Sequence, residues 1–272
     1  MRPLIRWAGS KRPVLSRLRG FWLGGDARYV EPFAGSASLF FDLEPRRALL
    51  GDLNGELIAA YRVIKRDPAS VLAYLRGLPR GKRAYYRLRA VPPSALCSAA
   101  AAARFLYLNR YCFNGLYRTN REGEFNVPYG PPDNPRGVDE ALLSGASALL
   151  GRATLIHGDF EVTLATARKG DFVYLDPPYA VSSRRVFAEY GPNPFCGADL
   201  ERLAVALVRL DERRVTFVIT YADCPEARRL LRHWRPRRMW TRRNIAGFAA
   251  SRRGSYELVA TNSPMGEPPD DH

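Results

Sequence analysis

The sequence predicts an α/β protein built on a doubly wound, Rossmann-like parallel sheet that is interrupted by a helical insertion. Three observations carry that prediction. Short β-prone runs that end in acids, ALLGDLN (48–54), ATLIHGDF (153–160) and DFVYLDPPY (171–179), flank a long helical stretch, and strands alternating with helices build parallel sheets. A Gly/Ser turn, GSAS (35–38), joins a first β-prone run, YVEPF (29–33), to an apolar segment, LFFDL (39–43), as an opening βαβ unit requires. Between the two groups of strands the apolar period is helical.

In chain order, YVEPF, the GSAS turn, LFFDL and ALLGDLN form strand, turn, short helix and second strand. Residues 56–150 follow as the insertion, with YLRGLPRGKRAYYRLR (74–89) and AAAARFLYLNRY (100–111) as its helices and a loop-like stretch over 120–137. Strands return at ATLIHGDF and DFVYLDPPY. A helix at ADLERLAVALVRL (198–210) precedes a strand at RVTFVITYAD (214–223), and RRMWTRRNI (237–245) with SYELVATN (255–262) reads as a closing pair. On this reading residues 1–55 and 151–264 make one domain, 56–150 an insertion within it, and 265–272 a disordered tail.

Composition narrows the class. The chain has 272 residues, 46% of them hydrophobic, enough to fill a core. No apolar run approaches the roughly 20 residues that span a bilayer, and the first residues carry no apolar leader, so a cytoplasmic protein without a membrane partner is expected. Cys97, Cys112, Cys196 and Cys224 show no metal-ligand spacing, so neither a zinc site nor a disulfide framework is expected. The formal net charge of +15 strains a compact fold through self-repulsion and points to a polyanion, of which nucleic acid is the commonest. Lysine occurs only at Lys11, Lys65, Lys82 and Lys169, and arginine supplies the rest. Arginine suits bidentate contact with phosphate or guanine, although a GC-rich genome also enriches it.

Acids at strand ends are the candidate ligand contacts, because in open α/β sheets the ligand sits beyond the carboxyl ends of the strands. Glu31 and Gly35 lie in the first turn, where the backbone must approach a ligand closely. Asp52 ends the next strand, where a carboxylate accepts the ribose hydroxyls of a nucleoside. Asp159 and Phe160 end the third, as acceptor and stacking ring for a base, or as an ordinary helix cap. The sharpest motif is Asp176-Pro177-Pro178-Tyr179. Two prolines hold the chain extended with outward carbonyls. An amine conjugated to an aromatic ring is a poor nucleophile; Asp176 and the Pro177 carbonyl would accept both its hydrogens and aim its lone pair at a methyl group, with Tyr179 stacked on the ring.

These motifs resemble those of a known family. Asp176 to Tyr179 match the DPPY motif of amino-group methyltransferases, and Glu31, Phe33 and Gly35 fall in their EPFxG motif. RWAGSK (6–11) resembles the N-terminal element, and FLYLNRYCFNGLYRTNREGEFNVPYG (105–130) is similar to the insertion of the Dam family of adenine-specific DNA methyltransferases. The resemblance covers almost the whole chain. It implies a Rossmann-like methyltransferase sheet with a target-recognition insertion, S-adenosylmethionine as cofactor, double-stranded DNA as partner and no metal. It further implies N6 methylation of a flipped adenine, with GATC the first guess for the site, by a cytoplasmic, nucleoid-associated protein expected to be a monomer in solution, with an oligomer on DNA left open. By position, Trp7, Lys11, Glu31, Phe33, Gly35, Asp52, Asp159 and Phe160 would bind the cofactor, with Asp176 bordering cofactor and target. Asn114, Leu116, Arg118, Asn120 and Pro128 would face DNA, and Phe113 would wedge into the base stack. Arg118 would read guanine, or contact phosphate alone.

The chain also departs from the family. Ala37 stands where a second turn glycine is usual and Ser10 replaces a glycine; both tighten the space near the methionine end of the cofactor. Thr220 and Tyr221 replace a Ser-Asn pair and alter the wall of the target pocket. The basic stretch 233–245 reads equally as a phosphate-gripping loop or a charge-protected edge hairpin. Cys224 precedes Pro225 rather than following a proline, so covalent catalysis is not expected. An RNA adenine methyltransferase and a catalytically silent DNA-binding relative are the alternatives, and a place in a restriction-modification system is left open.

Overall fold

The computed structural model describes residues 1–7, 9–22, 24–120, 122–131, 137–179, 195–242 and 254–263. Strands β1 (Tyr29–Glu31), β2 (Ala48–Asp52), β3 (Ala153–His157), β4 (Phe172–Leu175), β5 (Thr216–Ala222), β6 (Arg237–Arg242) and β7 (Gly254–Thr261) form one sheet in the order β3-β2-β1-β4-β5-β7-β6. The first five are mutually parallel, and β7 runs antiparallel between β5 and β6. The winding reverses between β1 and β4, and the crevice beyond their carboxyl ends is where such sheets bind ligands.

Both faces of the sheet are covered, which is why β1 and β4 are buried at every position rather than alternately. On one face Tyr29, Leu50, Phe172 and Tyr174 share a core with α1 (Leu15–Arg19), α2 (Ser38–Leu43), α3 (Gly55–Arg66), α4 (Pro68–Gly77), α6 (Ser98–Tyr111) and α7 (Glu140–Gly151). On the other, Val30, Val173, Leu175, Phe217 and Ile219 pack with α8 (Phe160–Ala165), α9 (Gly197–Glu212) and α10 (Pro225–Leu231). α3 begins where the side chain of Asn54 accepts from the Leu57 N–H, and it buries Leu57, Ile58, Tyr61 and Ile64 at helical spacing. α3 and α7 lie against β3, and α4 and α6 pack on them. Residues 56–150 therefore share their core with the sheet.

The helix expected across 74–89 is two helices. α4 ends at Gly77 and α5 (Lys82–Arg89) begins after Gly81, whose φ is +105°; Pro79 and Gly81 break what the apolar period would continue. The loop after α6 folds back on itself through antiparallel bridges Cys112 to Tyr129 and Thr119 to Phe125. Tyr85, Tyr107, Phe125 and Val127 fasten it to the helices. The tail 265–272, and residues 243–245 at the end of the basic stretch together with 246–253 after it, lie outside the described residues.

Candidate active site

A cavity of about 670 Å³ opens at the carboxyl ends of β1, β2, β3 and β4. The turn after β1 brings Glu31, Phe33 and Gly35 to it, β2 brings Asp52, β3 brings Asp159 and Phe160, and β4 brings Asp176, Pro177, Pro178 and Tyr179. Trp7 and Lys11 reach it from the N-terminal segment. Every residue expected at the cofactor or the amine therefore faces one space.

The Gly35 turn is built for close approach. Gly35 has φ +46°, and a Cβ there would lie 2.7 Å from the Trp7 ring. Its N–H donates to Asp52 Oδ2 at 2.8 Å, and its carbonyl accepts from the Tyr61 hydroxyl at 2.8 Å. Asp52 Oδ1 accepts from the Asn54 N–H, and burial raises the Asp52 carboxyl above its usual range despite these bonds. Ala37 sits at φ 49°, the left-handed region, which accounts physically for a glycine being usual there. Ser10, Ser38 and Ser36 join through hydroxyl hydrogen bonds of 2.9 and 2.8 Å, so Ser10 is spent on the turn itself.

At the aromatic end, Phe33 stacks on Phe160 with centroids 5.3 Å apart, and Phe195 meets Phe33 edge-on. Asp159 is the N-cap of α8, accepting from the Glu161 N–H, and Arg202 on α9 donates to Asp159 Oδ1 and Glu161 Oε2, each at 2.6 Å. The same guanidinium lies 4.8 Å from the centroid of the buried Phe160 ring. The cap geometry thus holds one Asp159 oxygen, and the phenylalanines supply the flat apolar wall.

At the amine end, Lys11 Nζ lies 2.7 Å from Asp176 Oδ1 and 3.5 Å from Glu257 Oε2. Thr220 donates to the same Asp176 oxygen at 3.0 Å, and the Tyr179 hydroxyl donates to Glu257 Oε1 at 2.9 Å. Tyr221 packs edge-on against Tyr179 at 5.4 Å. The two departures at the end of β5 therefore support the Asp176 turn directly. Burial raises the Asp176 carboxyl above the usual range, opposed first by Lys11. Burial also disfavours the Lys11 ammonium, but Asp176 and Glu257 outweigh it and its pKa rises. Glu31 is held well above the carboxylate range by burial while accepting from the Tyr29 hydroxyl.

The residues expected at DNA lie on the loop after α6, apart from the amine end. Phe113 is 38% exposed, Asn114 adopts φ 55°, and Pro128 is exposed. Leu116 is half-buried. Arg118 Nε donates to Asn126 Oδ1 at 2.7 Å. Asn120 closes the turn, its Oδ1 accepting from the N–H groups of Glu122 and Glu124. Among the described residues no cluster of His, Cys, Asp and Glu is placed to hold a metal, and no helix is long and apolar enough to cross a membrane.

Glu257, Arg202, Phe195 and Tyr117 were not among the expected site residues. Only Glu257 carried a signal, as a lone acid inside the apolar strand YELVA.

Comparison with known proteins gives the family. Residues 7–245 match the family described as D12 class N6 adenine-specific DNA methyltransferase. The Type II methyltransferase M1.LlaDCHI of Lactococcus lactis subsp. cremoris is 33% identical over 96% of this chain and 95% of its own length. The Type II methyltransferase M.MjaIII of Methanocaldococcus jannaschii is 32% identical over 81% of this chain and 84% of its own. The DNA adenine methylase of Serratia marcescens is 33% identical over 95% and 97%.

Proposed function

The chain belongs to the D12 class of N6 adenine-specific DNA methyltransferases, and from that premise we propose that its cavity holds S-adenosylmethionine and that the Asp176 turn presents an adenine amine to it. DNA is the substrate and a methyl donor is consumed. The observation that carries the finer reading is that Asp176, Lys11 and the Gly35 turn line one cavity. Its volume falls in the range of small-molecule sites, and the absence of a side chain on Gly35 lets the Trp7 ring pack directly on the turn that lines it. Asp52 suits ribose hydroxyls, and Phe33, Phe160 and Phe195 suit a flat base.

When bound, S-adenosylmethionine supplies an electrophilic sulfonium methyl. The protein's own part is to prepare the amine. Asp176 and the Pro177 carbonyl accept its two hydrogens, restoring lone-pair density to a nitrogen that conjugation has made unreactive. Tyr179, tied to Glu257 and buttressed by Tyr221, offers its ring to the base. Lys11 and Thr220 hold the Asp176 carboxylate, which receives the surplus proton or passes it to solvent. A paired, stacked amine cannot enter such a cavity, so the adenine leaves the duplex. Phe113, Asn114, Leu116, Arg118, Asn120 and Pro128 are the residues proposed to meet the DNA, with Arg118 reading guanine and Phe113 filling the stack. The likeness of the insertion supports GATC as the site, and the protein is proposed to act on DNA in the cytoplasm as a monomer in solution.

Mapping methylated bases in DNA from cells that express the protein tests the reading. The expected result is N6-methyladenine at every copy of one short motif, GATC. Unmodified adenine throughout, or methylation of cytosine, would overturn it.

A further inference from the structure

The hydroxyl of Thr119 is an orphan. Thr119 is 8% exposed, its Oγ1 has no hydrogen-bond partner, and it lines the cavity at the sheet edge although it belongs to the loop after α6. It stands opposite Phe125 in an antiparallel bridge whose hydrogen bonds run from the Asn126 N–H to the Arg118 carbonyl and from the Asn120 N–H to the Glu124 carbonyl. Buried hydroxyls rarely remain without a partner to meet.

The neighbouring residues show which part of the cavity it serves. In extended chain, successive side chains point to opposite sides. Tyr117, two positions before, stacks on Trp7 with centroids 5.6 Å apart, and Trp7 in turn covers Gly35. The Tyr117 hydroxyl donates to Glu56 Oε1 at 3.3 Å, on the helix that follows Asp52. Arg118, between them, reaches Asn126 instead. The loop therefore turns Tyr117 and Thr119 to the cavity while Arg118 faces elsewhere. The phenylalanines occupy the aromatic end and Asp52 suits the sugar, which leaves the side of Trp7, Gly35 and Tyr117 for the amino-acid end of the donor.

We infer that Thr119 is a donor-binding residue whose hydroxyl hydrogen-bonds the charged amino-acid end of S-adenosylmethionine, so that the DNA-facing insertion forms one wall of the donor pocket. The inference rests on the proposed identity of the donor. A hydroxyl both donates and accepts, and so serves a carboxylate or an ammonium group. Because Thr119 adjoins Arg118 in the chain, donor occupancy steadies the same segment that faces DNA.

Calorimetric titration of the full chain separates this inference from the reading beneath it. The ligands are S-adenosylhomocysteine and 5′-methylthioadenosine, which lacks the amino-acid end; the variants are Thr119→Val and Thr119→Ser. Thr119→Val is expected to weaken S-adenosylhomocysteine about tenfold, to leave methylthioadenosine unchanged, and to melt no lower than wild type without ligand, since it removes an unpaired hydroxyl. Thr119→Ser is expected to restore binding. Equal affinity of Thr119→Val and wild type for S-adenosylhomocysteine, or equal losses for both ligands, would overturn the inference alone. Failure of the wild-type chain to bind S-adenosylhomocysteine would overturn the donor reading and the inference with it.

Discussion

Lys11 and Asp176 form an ion pair of 2.7 Å in which the lysine is only 5% exposed, and Glu257 stands on the other side of the same ammonium. Asp176 and Glu257 thus share one buried cation beside the place proposed for the amine. Breaking such a pair strands a buried charge and is more damaging than the pair's own net worth. The carboxylate proposed to orient the amine is thus tied to the N-terminal segment through Lys11, which in turn meets Glu257 on the antiparallel strand β7.

The Asp176 carboxylate is assigned the amine. Asp176→Asn keeps the shape of the turn but supplies a donor where an acceptor is needed. Single-turnover methylation is expected to fall by about 10²- to 10³-fold, the usual scale for losing one preorganised electrostatic contact. Calorimetry should show S-adenosylhomocysteine affinity within a few fold of wild type.

Asp176 must be ionised to accept from the amine, and burial raises its pKa. Activity is expected to fade on the acid side above the ordinary carboxylate range. Thr220 donates to the charged form, so Thr220→Val should move that acid limb to higher pH, read from single-turnover rate against pH. An unmoved limb would show that another group controls it.

Glu31 gives a stability prediction of definite sign. Its folded pKa lies well above the carboxylate range because of burial. Between the unfolded and folded values the folded chain keeps a proton that the unfolded chain has released, so stability falls as pH rises through that window. Glu31→Gln is expected to flatten the decline in denaturant midpoint.

Arg118→Ala should cost about 1 to 3 kcal/mol of discrimination at a single base pair if the guanidinium reads guanine. Rates on a set of singly substituted duplexes measure it. Equal losses on all of them would make Arg118 a phosphate contact.

Ala37→Gly relieves a left-handed alanine, a strain of roughly 1 to 2 kcal/mol, offset in part by about 0.5 to 1 kcal/mol of added chain entropy in the unfolded state. A net gain of about 0.5 kcal/mol is expected in urea unfolding.

The sheet was legible because each parallel strand is an apolar run closed by an acid, and the cavity because those acids share one edge of the sheet. What the sequence hid was tertiary. Glu257 reaches Lys11 only because β7 returns antiparallel beside β5, with Ala222 opposite Glu257, and a strand's partner is not written in its period. In sequence Arg202 is one cation on an amphipathic helix, and only the packing of α9 brings it to Asp159. The break between α4 and α5 was visible as Pro79 and Gly81, but the apolar period on either side outweighed it.

The most direct test is transfer of a tritium-labelled methyl from S-adenosylmethionine to duplex DNA by the purified protein, followed by digestion to nucleosides. The account predicts that the label elutes as N6-methyldeoxyadenosine and nearly vanishes with Asp176→Asn. Label on any other nucleoside, or an undiminished rate for that variant, would contradict it.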